Sequence, residues 1–226
     1  MRKLVVLSLG GSLIVPDKID YSFLKNFRNS VLKFVNKGWH FIVVAGGGRT
    51  ARVYQDAAKK VGPISQDDVD WIGIHSTHLN AHLLRTIFRE FAHLKILTHY
   101  DEKEELPEPI VVAAGWKPGH STDYDTVMFA KLYDIKTVIN LSNIPFVYDK
   151  DPNKFPDAEP IKETTWKAFR KIVGDHWTPG DNLPFDPIAS KAAHEANIRV
   201  VILDGKNLAN FENFLLDKPF SGTVIS

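Results

Sequence analysis

His40-Phe41-Ile42-Val43-Val44-Ala45-Gly46-Gly47-Gly48-Arg49-Thr50-Ala51-Arg52 decides the fold of this chain. Residues 41–45 are apolar on successive positions, the pattern of a strand covered on both faces. Three glycines follow, and a helical pattern then runs over residues 50–61. Strand, glycine turn and helix in that order make half of a parallel α/β unit. The same punctuation recurs upstream, where a strand over 3–9 runs into Gly10-Gly11-Ser12. Downstream, a strand over 110–113 leads into Gly115-Trp116-Lys117-Pro118-Gly119-His120-Ser121-Thr122-Asp123. Further strands are predicted at residues 94–98, 136–141, 199–203 and 223–225. Phe23, Phe27, Val31, Phe34 and Val35 repeat at helical spacing before Gly38, and other helices are predicted over 71–92, 122–133, 164–173 and 187–197. The expectation is a three-layer αβα sandwich around a mostly parallel sheet. It forms one domain over residues 1–226, softly divided near residue 135 into lobes of 1–135 and 136–226.

Three glycine turns at strand ends point to phosphate. Glycine lets backbone N–H groups approach an anion without a Cβ in the way, and the helix that follows adds its dipole. Gly46-Gly47-Gly48-Arg49-Thr50-Ala51 also fits the dinucleotide fingerprint, with Asp67, Asp68 and Asp70 about 20 residues on. Asp70 precedes a helical pattern instead of ending a strand, and Arg49 and Arg52 suit a free, doubly charged phosphate. The Walker signature G-x-x-x-x-G-K-[ST] does not occur.

Composition narrows the partners. Lys plus Arg number 28 against 27 Asp plus Glu, so the chain as a whole carries no nucleic-acid footprint and an anion site has to be local. Without cysteine, the chain has no disulfide, thiolate metal site or cysteine nucleophile. Apolar runs such as Leu4-Val5-Val6-Leu7 are too short to span a bilayer, and Met1-Arg2-Lys3 before a strand does not read as a signal peptide. A cytoplasmic location is expected.

Six segments, in order along nearly the whole chain, resemble the amino-acid-kinase superfamily, and within it the uridylate kinases of the short archaeal type. They are Leu9-Gly10-Gly11-Ser12, Gly46-Gly47-Gly48-Arg49-Thr50-Ala51-Arg52, Asp70-Trp71-Ile72-Gly73-Ile74 with Leu79-Asn80-Ala81, the loop Gly115 to Asp123, Val147-Tyr148-Asp149-Lys150-Asp151-Pro152, and Asp186-Pro187-Ile188-Ala189-Ser190-Lys191. The resemblance implies transfer of the ATP γ-phosphate to UMP, with Mg²⁺, in pyrimidine nucleotide biosynthesis. It also implies a homo-oligomer, a hexamer in the uridylate kinases. By the same resemblance, Arg52 and the backbone of Gly46, Gly47 and Gly48 hold the acceptor phosphate, and Asp70 holds its ribose. Gly115, Trp116, Ser121 and Thr122 belong to the loop closing on the base. Gly10, Gly11, Ser12, Asn143, Tyr148, Asp151 and Lys191 face ATP. Asp123 joins Lys191 and the first glycine loop in the catalytic group, positioning the acceptor, or the metal through water.

The donor half departs from the family pattern. Ser8 stands where many members carry lysine, and Pro145-Phe146 stand where they read Asp-Gly. Proline brings no charge and no N–H, and phenylalanine fills the space a glycine leaves. Beside the UMP reading stand a catalytically weak nucleotide-binding or regulatory protein on the same fold, a kinase for another phosphate or carboxylate, and the dehydrogenase reading. Other residues have plainer expectations. Asp125 reads as a first-turn acid favouring its helix dipole. His120 is open to substrate contact or to capping. His75, His78 and His82 share a helix face and read as surface, and residues 178–184 read as a loop near ATP.

Overall fold

The structure, a computed structural model, describes residues 3–152, 154–177 and 183–226. The elements run β1 (Lys3–Leu9), α1 (Gly11–Ile14), α2 (Tyr21–Val35), β2 (Trp39–Ala45), α3 (Gly48–Val61), α4 (Gln66–Ile87), β3 (Ile110–Ala113), α5 (Thr122–Leu132), β4 (Thr137–Ser142), β5 (Val147–Tyr148), β6 (Pro160–Ile161), β7 (Glu163–Thr164), α6 (Trp166–Val173), α7 (Pro187–Glu195), β8 (Arg199–Asp204), α8 (Leu208–Leu215) and β9 (Thr223–Ile225). Among the described residues the main sheet has seven strands in the order β3-β2-β1-β4-β8-β9-β7, and β5 pairs with β6 in a separate hairpin. Neighbours in the main sheet are parallel except β8 with β9.

Residue alternation along the strands builds the three layers. Leu7, Phe41 and Val43 face one side, against Phe27 and Phe34 of α2, Leu84 of α4 and Phe211 of α8. Val6, Ile42 and Val44 face the other, against Val127 and Phe129 of α5, Phe169 of α6 and Ala189 of α7. With both faces covered, the inner strands can be apolar throughout. From β1 the chain steps outward to β2 and β3, returns to β4 on the other flank of β1, and continues to β8. Connections therefore diverge between β1 and β4, and such a switch point opens a crevice beyond the carboxyl ends of the strands.

Some boundaries differ from the sequence reading. Residues 94–98 do not form a strand; Leu97 makes an isolated bridge to Ala113, while Leu94 is exposed. The helix predicted from residue 71 starts at Gln66, because Ser65 and Asp68 form a capping box: the Ser65 hydroxyl accepts from the Asp68 N–H and the Asp68 carboxylate accepts from the Ser65 N–H. That box also removes Asp68 from any ribose-binding role, and with Asp67 and Asp70 on the same helix the dinucleotide reading fails. Thr165 caps α6, so residues 163–164 join the sheet as β7 instead of starting that helix. The predicted loop at 178–184 falls for residues 178–182 outside the described residues.

Candidate active site

The first two glycine loops lie backbone against backbone. A Cβ on Gly11 would collide with the Gly48 nitrogen, and a Cβ on Gly46 would collide with the Gly11 nitrogen. Gly48 has φ of +64°, and a Cβ there would strike the Gly11 carbonyl oxygen. These glycines are thus required by close approach of the loops as well as by any ligand. Hydrogen bonds fix the contact: Gly10 N–H donates to the Leu141 carbonyl at 2.9 Å, Gly46 N–H to Leu9 at 3.0 Å, and Arg49 N–H to Val15 at 2.9 Å. From α4, the buried Asn80 amide donates to the carbonyls of Gly46 at 2.7 Å and Gly47 at 3.0 Å. With those carbonyls turned to Asn80, the loop's conformation is held from behind.

A cavity of about 250 Å³ opens beside this loop, and its wall includes Gly47, Gly48, Arg52, Asp70, Gly115, Ser121 and Thr122. The sequence-predicted acceptor residues thus come together, apart from two. Gly46 lies behind the wall. Trp116 turns away, with its ring edge-on to Tyr100 at 4.7 Å between centroids and Lys117 over its face at 3.6 Å. Arg52 is exposed. Asp70 is buried, and its carboxylate accepts from the Gly119 N–H at 2.8 Å and the Gln66 amide at 3.2 Å, tying α4 to the closing loop. Thr77 accepts from the Gly115 N–H at 2.9 Å and His78 bonds the Gly115 carbonyl at 2.8 Å, so the loop is anchored at its first residue.

Behind the loop lies a cluster of carboxyl groups. Asp123, in the first turn of α5, accepts from the Ser8 hydroxyl at 3.0 Å, the Asn140 amide at 3.2 Å and the Asp186 N–H at 3.3 Å. Asp186 caps α7 through one oxygen, accepting from Ile188 and Ala189 N–H groups, and accepts from the Ser121 N–H at 2.8 Å through the other. Desolvation, then the nearby Asp186 carboxylate, push the Asp123 pKa up to about 7. Asp125 is in the first turn of α5, as expected, yet it is 1% exposed and stands in the cavity wall. Its pKa is raised well above the ordinary carboxylate range, first by burial. His120 lines the cavity as well, with its pKa lowered by burial and its ring 4.3 Å from that of Tyr124. Asp123 and Asp186 thus meet beside Ser8 of β1 and Asn140 of β4, at the point where the connections diverge.

The amino acid kinase family model matches residues 3–204. The chain belongs to the amino acid kinase family. The similarity covers most of the length of named relatives. A uridylate kinase of Thermoplasma volcanium is 33% identical over 100% of this chain and 98% of its own length. One of Methanosarcina barkeri is 34% identical, covering 94% of this chain and 91% of its own. The crystal structure of a uridylate kinase from Archaeoglobus fulgidus superposes with a TM-score of 0.84 at 30% identity, over 99% of this chain and 100% of that one. A UMP kinase structure from Bacillus anthracis, at 17% identity and a TM-score of 0.79, shares the fold.

In this amino acid kinase the residues expected to face ATP are less gathered. Gly11 and Ser12 open α1 at the divergence of β1 and β4, while Asn143 follows β4 and is exposed. Tyr148 is on β5, Asp151 is just beyond it, and Lys191 is exposed on α7. Lys191 acts electrostatically on Asp175. None of these lines the cavity beside the glycine loop. Sequence reasoning left Thr77, Asn80, Asn140 and Asp186 out of the site, although Asn80 and Asp186 sit inside segments that carried the family resemblance. Thr77 and Asn140 are ordinary residues within a helix and a strand, and only the packing of α4 and β4 beside the loops gives them a role.

Proposed function

We propose that this chain transfers the γ-phosphoryl group of ATP to UMP, giving UDP and ADP. The observation that carries the reading is the single cavity that joins Arg52 and the Gly47–Gly48 backbone to Asp70 and to the anchored loop at Gly115 and Ser121–Thr122. In this reading Arg52 and the glycine N–H groups bind the acceptor phosphate, and Asp70 binds the ribose hydroxyls. Gly115, Ser121 and Thr122 enclose the base. An acceptor phosphate oxygen forms the new bond to the γ-phosphorus while the bond to the β–γ bridging oxygen breaks, and ADP leaves with the electron pair. The acceptor is already ionised, so no general base is needed, and catalysis is positioning plus charge neutralisation.

ATP lies over Gly10, Gly11 and Ser12 with Asn143, Tyr148 and Asp151 toward the nucleoside, and Lys191 opposes its phosphate charge. Mg²⁺ supplies further neutralisation when bound with ATP. Among the described residues no cluster of three or more carboxylates or histidines could hold the ion directly, so the Asp123 carboxyl and the Ser8 hydroxyl would meet it largely through water. Residues 1–135 form the acceptor lobe and 136–226 the ATP lobe. The location is cytoplasmic, the product enters pyrimidine nucleotide synthesis, and the assembly is a homo-hexamer. The exposed Tyr54, Trp71 and Leu79 on α3 and α4 support self-association.

Purified protein incubated with Mg²⁺-ATP and, separately, UMP, CMP, dUMP, isopentenyl phosphate, acetylglutamate and carbamate tests the reading. Metal-dependent UDP formation selective for UMP is the expected result. Turnover of a different acceptor overturns the substrate. Binding of UMP and ATP without product moves the function to a non-catalytic role.

A further inference from the structure

The cavity proposed to take the acceptor has an apolar side that the phosphate and ribose contacts leave unused. The apolar side chains in its wall are Ala51, Ile74 and Trp177. Among the described residues Trp177 is the one tryptophan, tyrosine or phenylalanine there, and it is partly buried. It lies outside all six segments that carry the family resemblance, in the half of the chain assigned to ATP. Trp116, the tryptophan expected at the base, is engaged elsewhere: its ring meets those of Tyr100 and His99, and Lys117 covers its face. His120, the other ring in the wall, packs against Tyr124.

Local structure brings Trp177 to this place. Trp166 and Phe169 anchor α6 in the core. The helix ends at Gly174, whose φ of +78° suits glycine, and an ion pair from Arg170 to Asp175 spans the turn. Trp177 follows two residues on. From the opposite side, the Ser121 N–H donates to Asp186 at 2.8 Å, so the closing loop and the start of α7 meet beside the same cavity.

We propose that Trp177 is a substrate-contacting residue whose indole packs on the pyrimidine ring of the acceptor. The inference rests on the UMP reading and deepens it. Hydrogen bonds reach only the edge of a base, whereas its two faces are held by stacking and apolar contact. Ala51 and Ile74 offer small or branched surfaces, and the indole is the largest flat one in the wall. Both halves of the chain then contribute to the acceptor site, the first through polar groups and the second through one aromatic side chain.

The test is steady-state kinetics of the full chain with Mg²⁺-ATP and UMP. Trp177→Ala is expected to raise KM for UMP by about tenfold, with kcat and the KM for ATP held within about twofold, since stacking binds ground state and transition state alike. Trp177→Phe keeps an aromatic face and is expected to bring KM for UMP back to within about threefold of the wild type. An unchanged KM for UMP in Trp177→Ala overturns the proposal. So do equal losses toward UMP and ATP, which are what a merely structural role would give. Indole fluorescence supplies a readout that does not require Trp177→Ala to fold. UMP is expected to quench the emission of the wild type, and Trp177→Phe is expected to lose most of that quench while still making UDP. A wild type without the quench, or a quench that Trp177→Phe retains in full, overturns the proposal. A wild type that makes no UDP defeats the UMP reading and this inference together, whereas UDP formation with a KM indifferent to Trp177→Ala defeats only the inference.

Discussion

The sides proposed to hold the acceptor and ATP are built differently. On the acceptor side, Asp70, Thr77 and Asn80 are buried and each bonds backbone groups of a glycine loop or of the closing loop. On the donor side, Asn143, Asp151 and Lys191 are exposed at the end of a strand, beside a two-stranded hairpin and on a helix face. Lys191, a long side chain on the surface, keeps its rotamer freedom until a ligand orders it. On the proposed assignment, acceptor binding is largely preorganised, while the ATP side is completed by ATP.

The sharpest way to break this comparison is to remove a charge on each side and ask which substrate notices. Arg52→Ala is expected to lower kcat/KM for UMP by about 10²–10³-fold, the loss typical of truncating one partner of a charged hydrogen-bonded pair. The KM for ATP should stay within about twofold, since phosphate and base contacts to the donor are untouched. Lys191→Ala is expected to act the other way, lowering kcat/KM for ATP by about 10–10²-fold and leaving the dissociation constant of UMP unchanged. Equal effects of either variant on both substrates, read from initial rates, would erase the distinction between the sides.

Preorganisation itself is probed from behind the loop. Asn80→Ala removes the donors to the Gly46 and Gly47 carbonyls. It is expected to cost about 1–3 kcal/mol in urea unfolding and to raise KM for UMP in parallel. Unaltered UMP affinity would mean that the glycine loop holds its shape unaided.

The smallest expected effect concerns pH. Asp123 has a folded pKa of about 7 against an ordinary value of 3.8. Because the folded state binds its proton more tightly, the contribution of Asp123 to stability is full below pH 3.8, falls as pH rises, and is lost above about 7. Asp123→Asn is therefore expected to raise Tm at pH 8 by roughly 2–4 °C, the shift of about 1 kcal/mol in a chain of this size, and to change it little at pH 4. Scanning calorimetry at the two pH values checks the sign; a lower Tm at pH 8 would contradict the account.

The two sides were also unequally legible in the sequence. The layers and the parallel sheet follow from apolar runs and helical spacing, and the glycine loops stand out because repeated glycine at strand ends is rare without a steric reason. Gly11, Gly46 and Gly48 proved to have one beyond ligand binding, their mutual contact, which pairs residues distant in sequence. The start of α4 was written in Ser65 and Asp68, but a capping box is a local signal easily outweighed by the helical pattern that begins at Trp71. Residues 94–98 carry strand-like residues, yet Leu94 and Lys95 face solvent and only Leu97 bridges to the sheet. The burial of Asp125 was not legible, because an acid in the first turn of a helix is ordinarily solvated. Only the packing of α5 against the sheet and of Tyr100 beside it encloses the group.

The most direct measurement of a preformed acceptor site is calorimetric titration of UMP into the protein without ATP or Mg²⁺. The account expects saturable binding with one UMP per chain, weakened by Arg52→Ala and unaffected by Lys191→Ala. Binding that appears only after ATP is added, or that Arg52→Ala leaves unchanged, would contradict it.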